Sequence, residues 1–223
     1  MHKGLTISIV IPCFNEEKGI AGVLKSIPRQ VDEIIVVDNN STDATAQVAR
    51  EHGAKVIKET KQGYGAAIKA GLARVKTDLV VAVDGDATYP IDQTVAIVNF
   101  MLKNKADFVS CDRFSKPANS MNWKNWLGNK ILTLATRMLF GFPVQDSQSG
   151  MWIFRNAVVP FMRLTSDGMS LSEEIKLEAF RHPQISFLEY PIDYYARVGS
   201  SKLNLWRDGF GNLLFLFTKK LSF

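Results

Sequence analysis

The chain has 223 residues, enough for one large core but short for two, and its 46% hydrophobic and 22% charged residues exclude a long disordered protein. Lys and Arg exceed Asp and Glu to give a formal charge of +5, which suits an anionic partner (nucleotide, phospholipid headgroup or nucleic acid) without choosing among them. Two cysteines, Cys13 and Cys111, exclude a disulfide framework and point to buried thiols in a reducing, cytoplasmic setting.

In chain order, short β-branched runs alternate with helical patterns. Strands are expected at Thr6 to Ile11, Glu33 to Val37, Lys55 to Lys58, Leu79 to Val83 and Asp107 to Ser110. Ile34-Ile35-Val36-Val37 and Leu79-Val80-Val81-Ala82-Val83 are apolar at every position, as in strands covered on both faces. Between them, Ser41 or Thr42 is positioned to cap a helix ending at His52-Gly53, and Tyr64 to Val75 carries an apolar stripe. Further on, helices are expected from Lys130 to Phe140 and from Leu171 to Arg181, and strands from Gln148 to Phe154 and from Ile185 to Ile192. This βαβα succession predicts an α/β fold: one domain with a mostly parallel central sheet flanked by helices, whose ligands bind beyond the carboxyl ends of the strands. The apolar run before Pro12 is too short for a signal peptide, and no stretch has the roughly 18 apolar residues of a membrane span.

Those strand ends carry the chemistry. Asn15-Glu16 follows the first strand, Asp38-Asn39-Asn40 the second and Asp84-Gly85-Asp86 the fourth. Asp and Asn there are ordinary turn and cap formers, but three acidic clusters on one sheet edge ask for more. Asp84 and Asp86, two residues apart after a buried strand, can chelate one hard cation, Mg²⁺ or Mn²⁺, that keeps open positions for substrate phosphates. Gly63-Tyr64-Gly65 opens a helix, where backbone N–H groups could approach a phosphate; close helix packing explains the glycines as well.

Taken together, Ile9-Val10-Ile11-Pro12-Cys13-Phe14-Asn15-Glu16-Glu17, Val36-Val37-Asp38-Asn39-Asn40-Ser41-Thr42-Asp43, Gly63-Tyr64-Gly65, Asp84-Gly85-Asp86, Asp146-Ser147-Gln148-Ser149-Gly150 and Ser200-Ser201-Lys202-Leu203 resemble, in this order, the family 2 glycosyltransferases. The branch most similar is that of dolichyl-phosphate mannose synthase and other polyprenyl-phosphate glycosyltransferases. The resemblance implies a GT-A fold. It implies that Pro12, Phe14, Glu16 and Asp38 line a nucleobase and ribose pocket bordered by Gly63 and Gly65. Asp84, Gly85 and Asp86 would meet metal and diphosphate. Arg113, Lys130, Asp146, Gln148, Arg197, Ser201 and Lys202 would surround the acceptor phosphate, with Arg113, Arg197 and Lys202 also acting on the reacting phosphates.

Two departures qualify it. Where dolichyl-phosphate mannose synthases commonly read Asp-x-Asp-Leu-Gln, this chain has Ala87-Thr88-Tyr89-Pro90. Where hydroxyl-acceptor relatives carry a Glu-Asp pair supplying a base, it reads Ser172-Glu173-Glu174. A phosphate monoester has a second pKa near ~6 and arrives ionised, so it needs cations and no base.

From Trp206 onward, Phe210, Leu213, Leu214, Phe217 and Leu221 recur at helical spacing beside Arg207, Lys219 and Lys220, a pattern that suits a membrane-interfacial helix or a homodimer contact. The expectation is a catalytic domain over 1–203, with 1–110 binding the nucleotide sugar and 111–203 the acceptor, followed by an amphipathic tail over 204–223. It would transfer a sugar, with inversion, from a UDP- or GDP-sugar to a polyprenyl phosphate as a peripheral protein of the cytosolic membrane face. The alternatives are a saccharide hydroxyl as acceptor, with Glu173 or Asp146 as base, and a non-catalytic nucleotide-binding module. No nucleic-acid partner is expected, since no RNA-binding motif occurs.

Overall fold

A computed structural model describes residues 1–116, 120–200 and 205–222, the last from its backbone alone at positions 205 and 206. The elements in order are β1 (Ile7–Cys13), α1 (Glu17–Lys25), β2 (Glu33–Asp38), α2 (Thr45–Glu51), β3 (Lys55–Lys58), α3 (Tyr64–Leu72), β4 (Leu79–Ala82), α4 (Thr94–Lys103), β5 (Phe108–Asp112), α5 (Trp123–Phe140), β6 (Trp152–Arg155), α6 (Leu171–Arg181), β7 (Phe187–Pro191) and α7 (Leu205–Leu221).

The strands form a single seven-stranded sheet in the order β3-β2-β1-β4-β6-β5-β7. All pairings are parallel except those of β6, which runs antiparallel between β4 and β5. The chain leaves β1 toward β2 on one side and returns as β4 on the other, so the crevice beyond Cys13 and Ala82 is a topological switch point.

Alternation along the strands divides the core. Ile9, Ile11, Val36 and Val81 face one layer with α1 and α4, while Val10, Ile35, Val37, Val80 and Ala82 face the other with α3 and α6. Each Val or Ile side chain fully withdrawn from water in this way contributes roughly 1.5–3 kcal/mol. On the second face Trp152 is wholly buried, and its indole N–H donates to the Ser149 carbonyl at 2.7 Å. Cys13 and Cys111 are both buried thiols.

The boundaries differ from expectation where side chains take tertiary partners. Helix α2 begins at Thr45: the Asp43 carboxylate accepts its N–H at 3.0 Å, whereas Ser41 Oγ turns to accept the Asn15 N–H, also at 3.0 Å. Helix α5 starts seven residues before Lys130, where Asn122 Oδ1 accepts the Lys124 N–H at 2.9 Å. Its first turns hide no apolar stripe, because Trp123, Trp126 and Leu127 are exposed. Gly141 ends it at φ 63°, a left-handed turn suited to glycine.

Helix α7 lies beside α5 and closes a third apolar cluster, in which Leu216 meets Phe142, Val144 and Leu177. Lys219, expected among the basic flanks, is instead buried, pairing with Glu174 at 2.8 Å and Glu178 at 2.7 Å. It is a docking residue with no lysine head free for a lipid. Among the described residues no helix is long and apolar enough to cross a membrane.

Candidate active site

A cavity of about 570 Å³ opens at the switch point, walled by Pro12, Phe14 and Glu16 after β1, Asn39 after β2, Gly63 and Tyr64 at the start of α3, and Asp84, Gly85 and Asp86 after β4. Close backbone approaches hold these segments together. A Cβ on Gly19 would lie 2.9 Å from the Gly85 carbonyl, so α1 seats directly on the loop after β4. A Cβ on Gly85 would lie 2.7 Å from Cys13 Sγ, which explains the small residue between the two aspartates.

Asp86 is fully specified. Its Oδ1 accepts the Thr88 N–H at 3.0 Å and the Thr88 hydroxyl at 2.6 Å, and its Oδ2 accepts from Arg197 Nη1 at 2.7 Å. Arg197 Nη2 also donates to Glu16 Oε1, making the guanidinium a bridge between the two carboxylates. Thr88 thus supports Asp86 through its hydroxyl.

Asp84 has the opposite environment. Its Oδ1 is buried with no hydrogen-bond partner, and a Cβ on Gly150 would come within 2.8 Å of its Oδ2. Burial first, and then the Asp86 charge, push its pKa up to about 7, against the pull of Arg197 and Arg113. An orphaned carboxylate oxygen, beside a second carboxylate already holding a guanidinium, fits a hard divalent cation. Among the described residues no group of three Asp, Glu, His or Cys side chains is spaced to hold a metal, so the remaining ligand positions would fall to water and substrate oxygens.

The residues expected to line a nucleotide pocket are placed differently in two cases. Asp38 accepts the Ser41 N–H at 3.1 Å and stays out of the cavity wall, where Asn39 takes its place. Asn39 binds the carbonyls of Glu59 and Lys61 at 3.0 and 2.7 Å and accepts the Gly63 N–H at 2.7 Å, stitching β2 to the glycine loop. Gly63 lines the cavity at φ 147°, but Gly65 lies beneath another segment: a Cβ there would be 2.5 Å from the Ser166 carbonyl. Packing therefore accounts for Gly65. Asp167 holds that covering segment by pairing with Lys61 at 2.5 Å and Lys69 at 2.7 Å.

Arg113, Asp146 and Gln148, three of the residues expected to meet the acceptor, form a largely buried network beside the cavity. Arg113 donates through Nε and Nη2 to Asp146 at 2.6 and 2.9 Å. Burial opposes the Arg113 charge, but Asp146 more than offsets it and holds the guanidinium pKa well above its usual range. Asp146 is pulled below the ordinary carboxylate value, burial being overridden by Arg113. Lys176, wholly buried, donates to the Asp146 and Ser147 carbonyls at 3.2 and 2.6 Å, and burial pushes its pKa down to about 7. Gln148 donates to Glu173 Oε1 and accepts from Asn212 Nδ2 of α7 at 3.0 Å. Burial raises Glu173 to about 8. Lys130 instead stacks its ammonium 3.8 Å from the Phe114 ring centroid. Ser201 and Lys202 lie outside the described residues.

Of the other wall residues, Met169 and Asp208 gave no local signal in the sequence, whereas Arg207 read as a basic flank of the tail. Met169 comes from the turn before α6, and Arg207 and Asp208 from the first turn of α7. Lys176 and Asn212 sit mid-helix, where only the fold reveals their partners.

A cavity at the sheet's switch point, with paired carboxylates, Arg197 bound to one of them and Arg207 in its wall, is suited to a metal and an anionic, phosphate-bearing ligand. Residues 8–160 match the family described as Glycosyl transferase family 2, and the chain belongs to that family. It is similar to the dolichyl-phosphate hexose transferase of Haloferax volcanii, 33% identical over 207 residues covering 91% of this chain and 89% of the relative. It is also similar to the low-salt glycan biosynthesis hexosyltransferase Agl6 of the same organism, 30% identical over 95% of this chain, which spans about half, 53%, of that relative. Among solved structures, glucosyl-3-phosphoglycerate synthase from Mycobacterium tuberculosis, in complex with Mn²⁺, UDP-glucose and phosphoglyceric acid, superposes with a TM-score of 0.78 at 23% identity, over 97% of this chain and 80% of its own. That likeness shows the shared GT-A fold. The chain is a glycosyltransferase, and the non-catalytic reading falls.

Proposed function

We propose that this glycosyltransferase moves a sugar, with inversion and with the aid of Mg²⁺ or Mn²⁺, from a nucleoside-diphosphate sugar to a polyprenyl phosphate at the cytosolic membrane face. The observation that carries the choice of acceptor is that neither candidate base, Asp146 or Glu173, lines the cavity. Asp146 is locked by Arg113, and Glu173, whose Oε1 accepts from Gln148 while its Oε2 has no hydrogen-bond partner among the described residues, is buried behind the cavity wall. A saccharide hydroxyl needs a base to take its proton, whereas a phosphate monoester with a second pKa near ~6 arrives as the nucleophile.

In this reading the nucleoside lies between Pro12, Phe14 and Asn39, and its diphosphate points toward Asp84 and Asp86. Asp84 and Asp86 would hold a divalent cation there, which would neutralise charge developing on the departing diphosphate. The 146–150 loop, fixed by Arg113 and Lys176, presents the acceptor side, and a direct displacement inverts the anomeric carbon. The similarity to a dolichyl-phosphate hexose transferase supports this acceptor class.

Two exposed apolar stripes on neighbouring helices support contact with a bilayer. On α5 they are Trp123, Trp126, Leu127, Ile131, Leu134 and Met138; on α7, Phe210, Leu214, Phe217 and Leu221. We take 1–203 as the catalytic domain and 204–223 as a docked tail with an interfacial outer face. The test is a panel of UDP- and GDP-sugars with a short polyprenyl phosphate and Mn²⁺ or Mg²⁺, with product mass measured. A glycosyl phosphate lipid is the expected product; transfer to a free saccharide instead would overturn the acceptor.

A further inference from the structure

Arg197 is the wall residue whose position the proposed chemistry leaves unexplained. Its Nη1 is 2.7 Å from Asp86 Oδ2 and its Nη2 meets Glu16 Oε1, so its charge sits where a cation bound to Asp86 would sit. Thr88 already occupies Asp86 Oδ1, which leaves Oδ2 as the oxygen a metal would use.

We infer that the Arg197 guanidinium and the divalent cation are alternative occupants of one seat on Asp86, so that the nucleotide-free protein holds its own cation there until a diphosphate draws Arg197 away. The inference rests on reading Asp84 and Asp86 as the metal pair. Three observations favour it. A divalent ion on Asp86 Oδ2 would be pressed against a like-charged guanidinium at contact distance. The backbone carrying Arg197 is pinned to the aspartate loop, Tyr195 N–H to the Thr88 carbonyl at 2.9 Å and Val198 N–H to the Asp86 carbonyl at 3.0 Å, so only the side chain has to swing. Finally, Arg197 Nε is buried without a hydrogen-bond partner, so its present posture leaves a donor unmade. A diphosphate in the cavity that Arg197 lines supplies paired oxygen acceptors for that planar fork, and the vacated carboxylate passes to the metal. Metal and diphosphate then bind cooperatively, each by removing Arg197 from the other's way.

The experiment titrates Mn²⁺ alone into nucleotide-free protein and reads the free-ion signal by electron paramagnetic resonance, with folding checked by circular dichroism. Arg197→Gln is expected to bind Mn²⁺ roughly tenfold more tightly than the parent, since a partly exposed competing ion pair is removed. Arg197→Lys, a shorter cation without the fork, should fall between. Asp86→Asn should weaken Mn²⁺ binding in the parent and abolish the gain in the Arg197→Gln background. If Arg197→Gln binds Mn²⁺ no more tightly while Asp86→Asn still weakens binding, the metal seat stands and the competition is overturned. If Asp86→Asn leaves Mn²⁺ binding unchanged in the Arg197→Gln background, the seat itself is wrong and the inference falls with it.

Discussion

Arg113 and Asp146 meet in a two-point contact, 2.6 and 2.9 Å, with both side chains out of solvent. A charge pair buried this way is expensive to break from one side, because the survivor keeps its desolvation penalty. Asp146→Ala should therefore cost about 3–5 kcal/mol by urea unfolding, and Arg113→Met with Asp146→Leu much less than the two single changes summed. Asp146 has its pKa depressed in the folded state. Its contribution is thus complete above the unfolded value near ~3.9 and is lost only as pH falls through the lower folded value. An acid limb beginning well above pH ~5 that Asp146→Asn removes would contradict the pair.

Glu173 has the opposite sign. Burial raises it to about 8, against roughly 4.3 in the unfolded chain. Below both values the carboxyl is neutral in either state and carries no penalty; as pH rises through this window the unfolded chain ionises first and folded stability is lost. Glu173→Gln mimics the neutral acid, so its stability relative to the parent should grow between pH ~5 and ~8 and then level off. Turnover on a lipid phosphate should change little. A loss of about 10²-fold with donor binding intact would favour a hydroxyl acceptor with Glu173 as base.

Asp86→Ala should abolish transfer and leave the fold intact, because the side chain belongs to a strand-end loop and not to either hydrophobic layer. Near-normal activity at saturating metal would remove Asp86 from the metal site. Thr88→Val is the subtler change. It deletes the 2.6 Å hydroxyl contact with Asp86 and should lower turnover roughly tenfold with little effect on melting temperature, as measured by steady-state kinetics beside thermal unfolding.

The two sides of α7 should separate by mutation. Phe210, exposed at 70%, and Phe217, at 51%, face outward. Replacing both by Ser should weaken sedimentation with anionic liposomes and lipid-acceptor turnover together, while nucleotide binding is unchanged. Lys219→Gln, by contrast, strips the buried partner of Glu174 and Glu178 and should destabilise the docked helix by about 3 kcal/mol without altering the salt dependence of liposome binding. If the Phe changes leave liposome binding intact and convert a dimer to a monomer by light scattering, the outer face joins two copies of the chain.

Much of the scaffold is legible in the sequence because its causes are local. The runs at Ile34–Val37 and Leu79–Val83 are apolar at each position, which only a doubly covered strand tolerates, and they fall on β2 and β4. Their carboxyl ends carry the acidic residues, so the position of a site beyond them follows from strand polarity alone. What the sequence could not settle depends on neighbours distant along the chain. The antiparallel insertion of β6 is a matter of pairing and leaves no periodicity of its own. Asp38 and Asn39 differ in role because the Ser41 N–H captures one and the Gly63 N–H the other. Lys219 reads as a basic flank until Glu174 and Glu178, far upstream, are seen to bury it. Arg197, 111 residues from Asp86, becomes its ion partner only when the fold closes over the switch point, since a charge-to-charge distance is a tertiary quantity that local spacing does not encode.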